Sequence, residues 1–219
     1  MTGDSPCITL LGTSALLFDA PGEVGLITQQ RIWALALEAE RWPEISEAVP
    51  GMNNLMVGFS QLPQRLDQIE ARLRAAWEAA APIPVEGRLI ELPVVYGGVG
   101  GPHVNDVVAH TALGIDEIAQ IHSAPIYQVY ALGSHPGYCY LGGMDQRIAT
   151  PRRKTPALRI PGGSVSIGGS QTGVSASDGP SGWNTIGSTV MRFFDPMIDP
   201  PALLRPGDCI QFTIARVIR

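Results

Sequence analysis

The apolar positions of the chain change their spacing about two-fifths of the way along it. Near the amino terminus, short apolar runs alternate with stripes at three-four spacing. Cys7–Leu11 and Ala15–Ala20 are two runs parted by Gly12-Thr13-Ser14, which predicts a hairpin. From Gly25 to Arg41 the period is helical, with Ile32, Leu35, Ala36 and Ala39 on one face, and Pro43 ends it. Ile45–Val49 and Leu55–Phe59 flank Pro50-Gly51-Met52-Asn53-Asn54, a second hairpin whose turn residues supply a fixed or positive φ. Ser60 is positioned to cap a second helix with Pro63 in its first turn. Leu62, Leu66, Ile69, Leu73 and Trp77 then form its apolar stripe. The pattern predicts a sheet covered by two helices.

Ala81-Pro82-Ile83-Pro84 reads as a boundary, giving an α+β domain over 1–86 and a second domain over 87–219. In the second, Arg88–Tyr96 is a strand and Gly97–Pro102 a glycine loop of unusual freedom. Two short helices follow, Val104–Leu113 and Ile115–His122, the latter capped from the Gly114 side. Beyond Pro125 the pattern is almost entirely β: Ile126–Leu132, Ser164–Ile167, Trp183–Thr189, Met191–Phe194 and Cys209–Ile218. Short strands with Gly and Pro punctuation predict a barrel or closed sandwich.

Composition narrows the class. The 219 residues are 45% hydrophobic and 16% charged, a globular balance, and the net charge of −5 leaves no basic footprint for nucleic acid. Three widely separated cysteines exclude a disulfide framework, argue against a zinc site and suit a reducing compartment. The first residues lack the positive and apolar regions of a signal peptide, and no apolar run reaches ~18 residues. A soluble cytoplasmic protein is expected. There is no P-loop, no complete dinucleotide fingerprint, no nucleophile elbow and no HExxH pair.

The richest segment is Leu132–Thr189, where glycines and prolines punctuate short β runs beside polar and aromatic side chains. His122 ends a predicted helix, where it is either a cap for the last carbonyls or a site residue. His103 and His110 suit a helix surface. His135, in a turn beside Tyr138 and Tyr140, is either a plain turn residue or an acid–base or ligand contact. Arg152-Arg153-Lys154 is a solvated loop unless one arginine turns inward to fork onto a carboxylate or phosphate. Gly168–Gly173 offers backbone N–H groups and the side chains of Gln171 and Thr172, as an oxyanion cradle or an ordinary hairpin turn. Trp183 is either core or pocket wall.

The runs GSHPGYCYLGG, ATPRRKTPALRIPGGSVSIGGSQTG and GPSGWNTIGST, with VVYGGVGGPHVNDVVAHTALGIDEIAQIHSAPIYQVYALG before them and FFDPMIDPPALLRPGDCIQF after, resemble the KipI/PxpB family. This family is also called allophanate hydrolase subunit 1, or the carboxyltransferase subdomain C/D. Pro136, Gly137, Tyr140 and Leu141 match its GFxPGFxYLGG motif, whereas Ser134 and Tyr138 replace the phenylalanines and His135 fills the variable place. Arg152 matches a TPR motif, Gln171-Thr172-Gly173 a QTG motif and Gly182-Trp183 a GW motif. Val99 and His103 stand where the family usually carries acidic residues, which puts any role for those carboxylates in doubt.

The resemblance implies a small ferredoxin-like α+β domain followed by a cyclophilin-like β-barrel. It implies the B subunit of a bacterial ATP-dependent 5-oxoprolinase, inactive alone. Its partners would be a LamB/YcsF-like A subunit and a C subunit similar to allophanate hydrolase subunit 2, with ATP handled by the complex. Arg152 would hold an anionic group, Gln171 and Thr172 would orient it, and His122 or His135 would move a proton. Tyr138, Tyr140, Gly173 and Trp183 would line the pocket with them, and no metal is called for. The resemblance also admits a KipI-type inhibitor of a sensor histidine kinase, or a urea amidolyase-related component.

Overall fold

A computed structural model describes residues 5–84 and 86–219. Contacts divide the chain into two compact units, Met1–Val85 and Glu86–Arg219.

The first unit runs β1 (Cys7–Leu11), β2 (Ala15–Asp19), α1 (Leu26–Ala39), β3 (Glu47–Pro50), β4 (Asn54–Gly58) and α2 (Leu66–Ala79). Among the described residues its strands form one antiparallel sheet in the order β1-β2-β4-β3. Leu16, Phe18, Leu55 and Val57 alternate onto one face and meet Ile32, Leu35, Leu73 and Trp77 of the helices in a common core. The turns are those the sequence demands, with Gly12 at φ 62 and Asn53 at φ 60. The start of α2 is not. Residues 60–65 are outside the helix, Arg65 is its N-cap with no side-chain cap bond, and Leu62 is exposed. Asp67 supplies the acidic first turn, held by Arg65 at 2.7 Å, so the helix starts without a Ser60 cap. The element order ββαββα also differs from the βαββαβ run of a ferredoxin-like domain.

The second unit runs β5 (Leu89–Gly97), α3 (Val104–Thr111), α4 (Ile115–Ser123), β6 (Ile126–Leu132), β7 (Cys139–Gly142), β8 (Ala157–Ile160), β9 (Ser164–Gly168), β10 (Gln171–Val174), β11 (Gly179–Ser181), β12 (Asn184–Ser188) and β13 (Cys209–Ile218). Among the described residues seven strands close a barrel in the order β10-β7-β6-β13-β5-β12-β9, with β9 pairing back to β10. Only β5 and β13 are parallel within it. β8 and β11 pair outside the barrel.

The interior is filled rather than hollow. Leu92, Val94, Tyr127, Val129, Cys139, Leu141, Val165, Ile167 and Phe212 point inward, each essentially inaccessible. The expected strand Met191–Phe194 is absent. Phe193 is buried, but the segment is held by the Leu203 N–H donating to the Phe193 carbonyl at 2.9 Å and by a lone bridge between Phe194 and Ala202. Its apolar side chains reflect a loop tucked over the core. Conversely β7, β8, β10 and β11, each three or four residues long, carry too little alternation to be read from sequence.

Candidate functional site

The turn between β6 and β7 builds one wall of a cleft on the outer side of the barrel. Ser134 adopts φ 64, rare for a side-chain-bearing residue, and Gly137 adopts φ 80. The His135 N–H donates to the Gly133 carbonyl at 2.8 Å and the Tyr138 N–H to the His135 carbonyl at 3.1 Å. This tight turn presents His135 beside Tyr138, their ring centroids 5.2 Å apart. Strand alternation then sends Cys139 and Leu141 into the core and Tyr138 and Tyr140 outward, with ring centroids 5.0 Å apart in an edge-to-face contact.

Trp183 forms the opposite wall. Its indole lies flat on β9, where a Cβ at Gly168 would stand 2.4 Å from the ring, so glycine is required there. Arg152 completes the rim, its guanidinium 5.8 Å from the Trp183 ring centroid and without a hydrogen bond or ion pair to any described residue. Its neighbour is occupied differently. The Arg153 N–H donates to the Gly182 carbonyl at 2.8 Å, and its guanidinium pairs with Asp106. Asn184 Nδ2 donates to the Pro151 carbonyl at 2.9 Å, tying the same loop down. Of the three consecutive cations, one is an anchor and one is free to meet a ligand. Ser175 and Ser181 add hydroxyls that the sequence did not signal, and the cleft encloses about 210 Å³.

Two features give the cleft chemical character. His135 Nε2 is buried with no hydrogen-bond partner, and burial lowers the imidazole pKa. An unpartnered buried nitrogen costs free energy unless something that enters the cleft satisfies it. Burial also raises the Tyr138 phenol well above its usual range, so it stays protonated as a donor.

The structure therefore brings together His135, Tyr138, Tyr140, Arg152 and Trp183. It does not bring the rest of the predicted set with them. Thr172 faces the opposite way from its neighbours, into the barrel. Gly173 backs the Tyr138 hydroxyl, 2.7 Å from where a Cβ would stand, and Gln171 pairs with Gly168 outside the cleft lining. The Gly168–Gly173 run is a two-residue hairpin, with Gly169 at φ 65 and its N–H donating to the Thr150 carbonyl at 2.7 Å, rather than an open cradle of free amides.

His122 is neither a surface cap nor part of the cleft. It lies fully buried in the barrel interior, 4.4 Å from the Phe212 ring centroid. Thr172 Oγ1 donates its one proton to the Ser166 carbonyl at 3.0 Å. It must therefore accept from His122 Nε2 at 2.8 Å, which leaves Nδ1 to accept from the Tyr96 hydroxyl at 2.8 Å. The ring is neutral with its proton on Nε2, and burial drives its pKa down to about 3. It ties α4 to β5 and β10 as a structural group. Among the described residues no group of three acidic, Cys or His side chains could hold a metal ion, and no helix is long and apolar enough to cross a membrane.

The chain is 45% identical over 205 residues to the B subunit of 5-oxoprolinase from Escherichia coli O157:H7, covering 93% of each. Among solved structures it resembles TTHA0988, with a TM-score of 0.76 and 30% identity, covering 92% of this chain but 39% of that longer one. It also superposes on the K. lactis urea amidolyase with a TM-score of 0.75, covering 96% of this chain and 15% of that one, where 19% identity makes the likeness one of fold. Residues 6–204, which hold the cleft and every barrel strand except β13, match the family described as carboxyltransferase domain, subdomain C and D, and the chain belongs to that family.

Proposed function

We propose that this chain is the B subunit of an ATP-dependent 5-oxoprolinase, acting in a cytoplasmic complex with A and C subunits to open the lactam of 5-oxoproline to L-glutamate. The observation that carries the reading is the 45% identity to a relative of that name over 93% of both chains. In the same reading the barrel is cyclophilin-like, the domains divide at 86/87, and the first sheet is a ferredoxin-like sheet whose closing strand has moved to the front as β1.

The outer cleft is the site we assign to the lactam. A volume of about 210 Å³ suits a small ring and lies below the ~300–1,000 Å³ of drug-sized ligand sites. Arg152 would fork onto the carboxylate, and Tyr140 and Trp183 would flank the ring. Lactam hydrolysis puts the oxygen of water on the carbonyl carbon and a proton on the ring nitrogen as the C–N bond breaks. Tyr138 would donate to the carbonyl oxygen as negative charge develops there, and neutral His135 would exchange the proton through Nε2. The cleft does not fit ATP: it is small, and Arg152 is the one free cation among its described lining residues. No nucleotide step is assigned to this chain.

The test is reconstitution with the A and C subunits and measurement of ATP-dependent glutamate release. Arg152→Ala and His135→Ala are expected to lower kcat/KM by at least ~tenfold, the cost of about 1.4 kcal/mol in the transition state, with Gln171→Ala close to wild type. Full activity in both cleft variants would remove the site. A wild-type complex that leaves 5-oxoproline intact would remove the reaction.

A further inference from the structure

The glycine loop that the sequence singles out, and that the cleft does not use, walls a separate cavity of about 370 Å³ sharing no lining residue with it. The loop approaches the barrel closely because its residues lack side chains. A Cβ on Gly100 would stand 2.2 Å from Ser188 Oγ, and one on Gly101 would stand 2.3 Å from the Ile186 carbonyl oxygen. The far wall is formed by residues 157–164.

His103, the N-cap of α3, lines this cavity and is held at two points. Its N–H donates to the Thr185 carbonyl at 2.9 Å, and the Thr185 N–H donates to its Nδ1 at 3.0 Å. A backbone N–H can only donate, so Nδ1 is unprotonated and the neutral ring carries its proton on Nε2. Burial and the nearby Arg153 guanidinium both lower the pKa of the ring, in keeping with that form. No described residue accepts from Nε2. The cations nearby are committed, Arg159 to Asp178 at 2.6 Å and Arg153 to Asp106, so the cavity offers an anion no free charge. Pro102, Ile160 and Pro161 make much of the remaining surface apolar.

We propose that this cavity is a second binding site, for a neutral small molecule that presents a carbonyl oxygen to His103 Nε2–H and lays its apolar part against Pro102, Ile160 and Pro161. One fixed, uncharged donor in an apolar setting selects an amide-type carbonyl over a carboxylate, because a carboxylate would be stripped of water without a compensating charge. The proposal stands independently of the 5-oxoprolinase reading.

The experiment is nitrogen NMR of the full chain, titrated with 2-pyrrolidinone as the neutral probe and acetate as the anionic one. The ring nitrogens of His103 are expected to show the Nε2–H tautomer without ligand. Pyrrolidinone should shift His103 Nε2 and the Thr185 amide saturably, and acetate should not. His103→Asp keeps an acceptor for the Thr185 N–H and removes the donor, so its affinity for pyrrolidinone should fall at least ~tenfold. A proton on Nδ1, no saturable shift at these two residues, a stronger response to acetate, or undiminished binding in His103→Asp would each overturn the site. A pyrrolidinone response confined to His135 and Tyr138 would do the same. The tautomer and wild-type titrations need no variant to fold.

Discussion

Replacing His122 with phenylalanine should make the barrel less stable at neutral pH and relatively more stable in acid. In the folded chain His122 is enclosed by Tyr96, Tyr127, Thr172 and Phe212, with both ring nitrogens used, and its pKa is about 3. In the unfolded chain the pKa is ~6.5. The folded pKa is the lower, so below ~6.5 the unfolded state takes up a proton that the folded state refuses. Stability from this group is present above ~6.5, falls as the pH drops, and stops falling near pH 3. At ~1.36 kcal/mol per unit below the unfolded pKa, the loss between pH 7.5 and 4.5 is about 2.7 kcal/mol, a large share of the ~5–15 kcal/mol that holds a domain together. His122→Phe should cost about 2 kcal/mol at pH 7.5, because the Tyr96 hydroxyl is left buried without its acceptor. It should also remove the acid-dependent loss, so the wild-type and variant curves converge and cross between pH 6 and 4.5. The assay is urea unfolding across that range, followed by exchange of the β9 and β10 amides. Most carboxylate effects fall at lower pH, and the other histidines are common to both chains. Parallel curves, or a wild-type His122 resonance that titrates near 6.5, would refute the argument.

Arg152→Ala and Arg153→Ala should separate binding from anchoring. The first should leave the melting temperature within about a degree while weakening lactam-dependent activity. The second should lower it by a few degrees, since only the Arg153 guanidinium pairs with Asp106, while the backbone bond from Arg153 to the Gly182 carbonyl survives the substitution. Gly173→Ala should displace the Tyr138 ring and raise KM several-fold with little change in fold, read by comparing its kinetics with those of Tyr138→Phe. Asp208→Ala should cost about 3 kcal/mol in urea unfolding. That carboxylate is fully buried and accepts from the Arg88 and Arg205 backbone N–H groups and from the Arg88 guanidinium at 2.6 Å. Desolvation alone would raise the pKa of Asp208, but these bonds outweigh it and hold it below the usual value. Its contribution should therefore be present above ~pH 3.9 and fade as the pH falls further.

Legibility in the sequence followed the length over which a period could repeat. The helix at Leu26–Ala39 and the first two hairpins were readable because each carries several apolar repeats and a turn whose residues demand a positive φ. The short strands around the cleft were not, because Cys139–Gly142 and Gln171–Val174 offer two alternations at most amid glycines. The family motifs supplied part of what periodicity could not by marking Tyr140, Arg152 and Trp183, while His135 stood out from its turn beside two tyrosines and Tyr138 departs from the motif; the fold gathers all five in one place. The cleft's serines had no signal, since Ser175 and Ser181 are unremarkable until the chain is folded.

What motif adjacency could not convey is parity. A strand sends successive side chains to opposite faces, so three consecutive motif residues cannot all reach one pocket. In Gln171-Thr172-Gly173 the middle residue enters the barrel to meet His122, and the third is required to be small behind Tyr138. The motif is thus divided between holding the sheet together and making room for a site residue. In Arg152-Arg153 the backbone decides instead: the residue whose N–H is taken by the Gly182 carbonyl turns its guanidinium to Asp106, and the one before it is left over the indole of Trp183. A short motif is therefore better read as alternating assignments to core and cleft than as a set of ligands. Measured kinetics should sort the same way: substitutions of outward residues should act on kcat/KM, and substitutions of inward residues such as Thr172 should act on stability first.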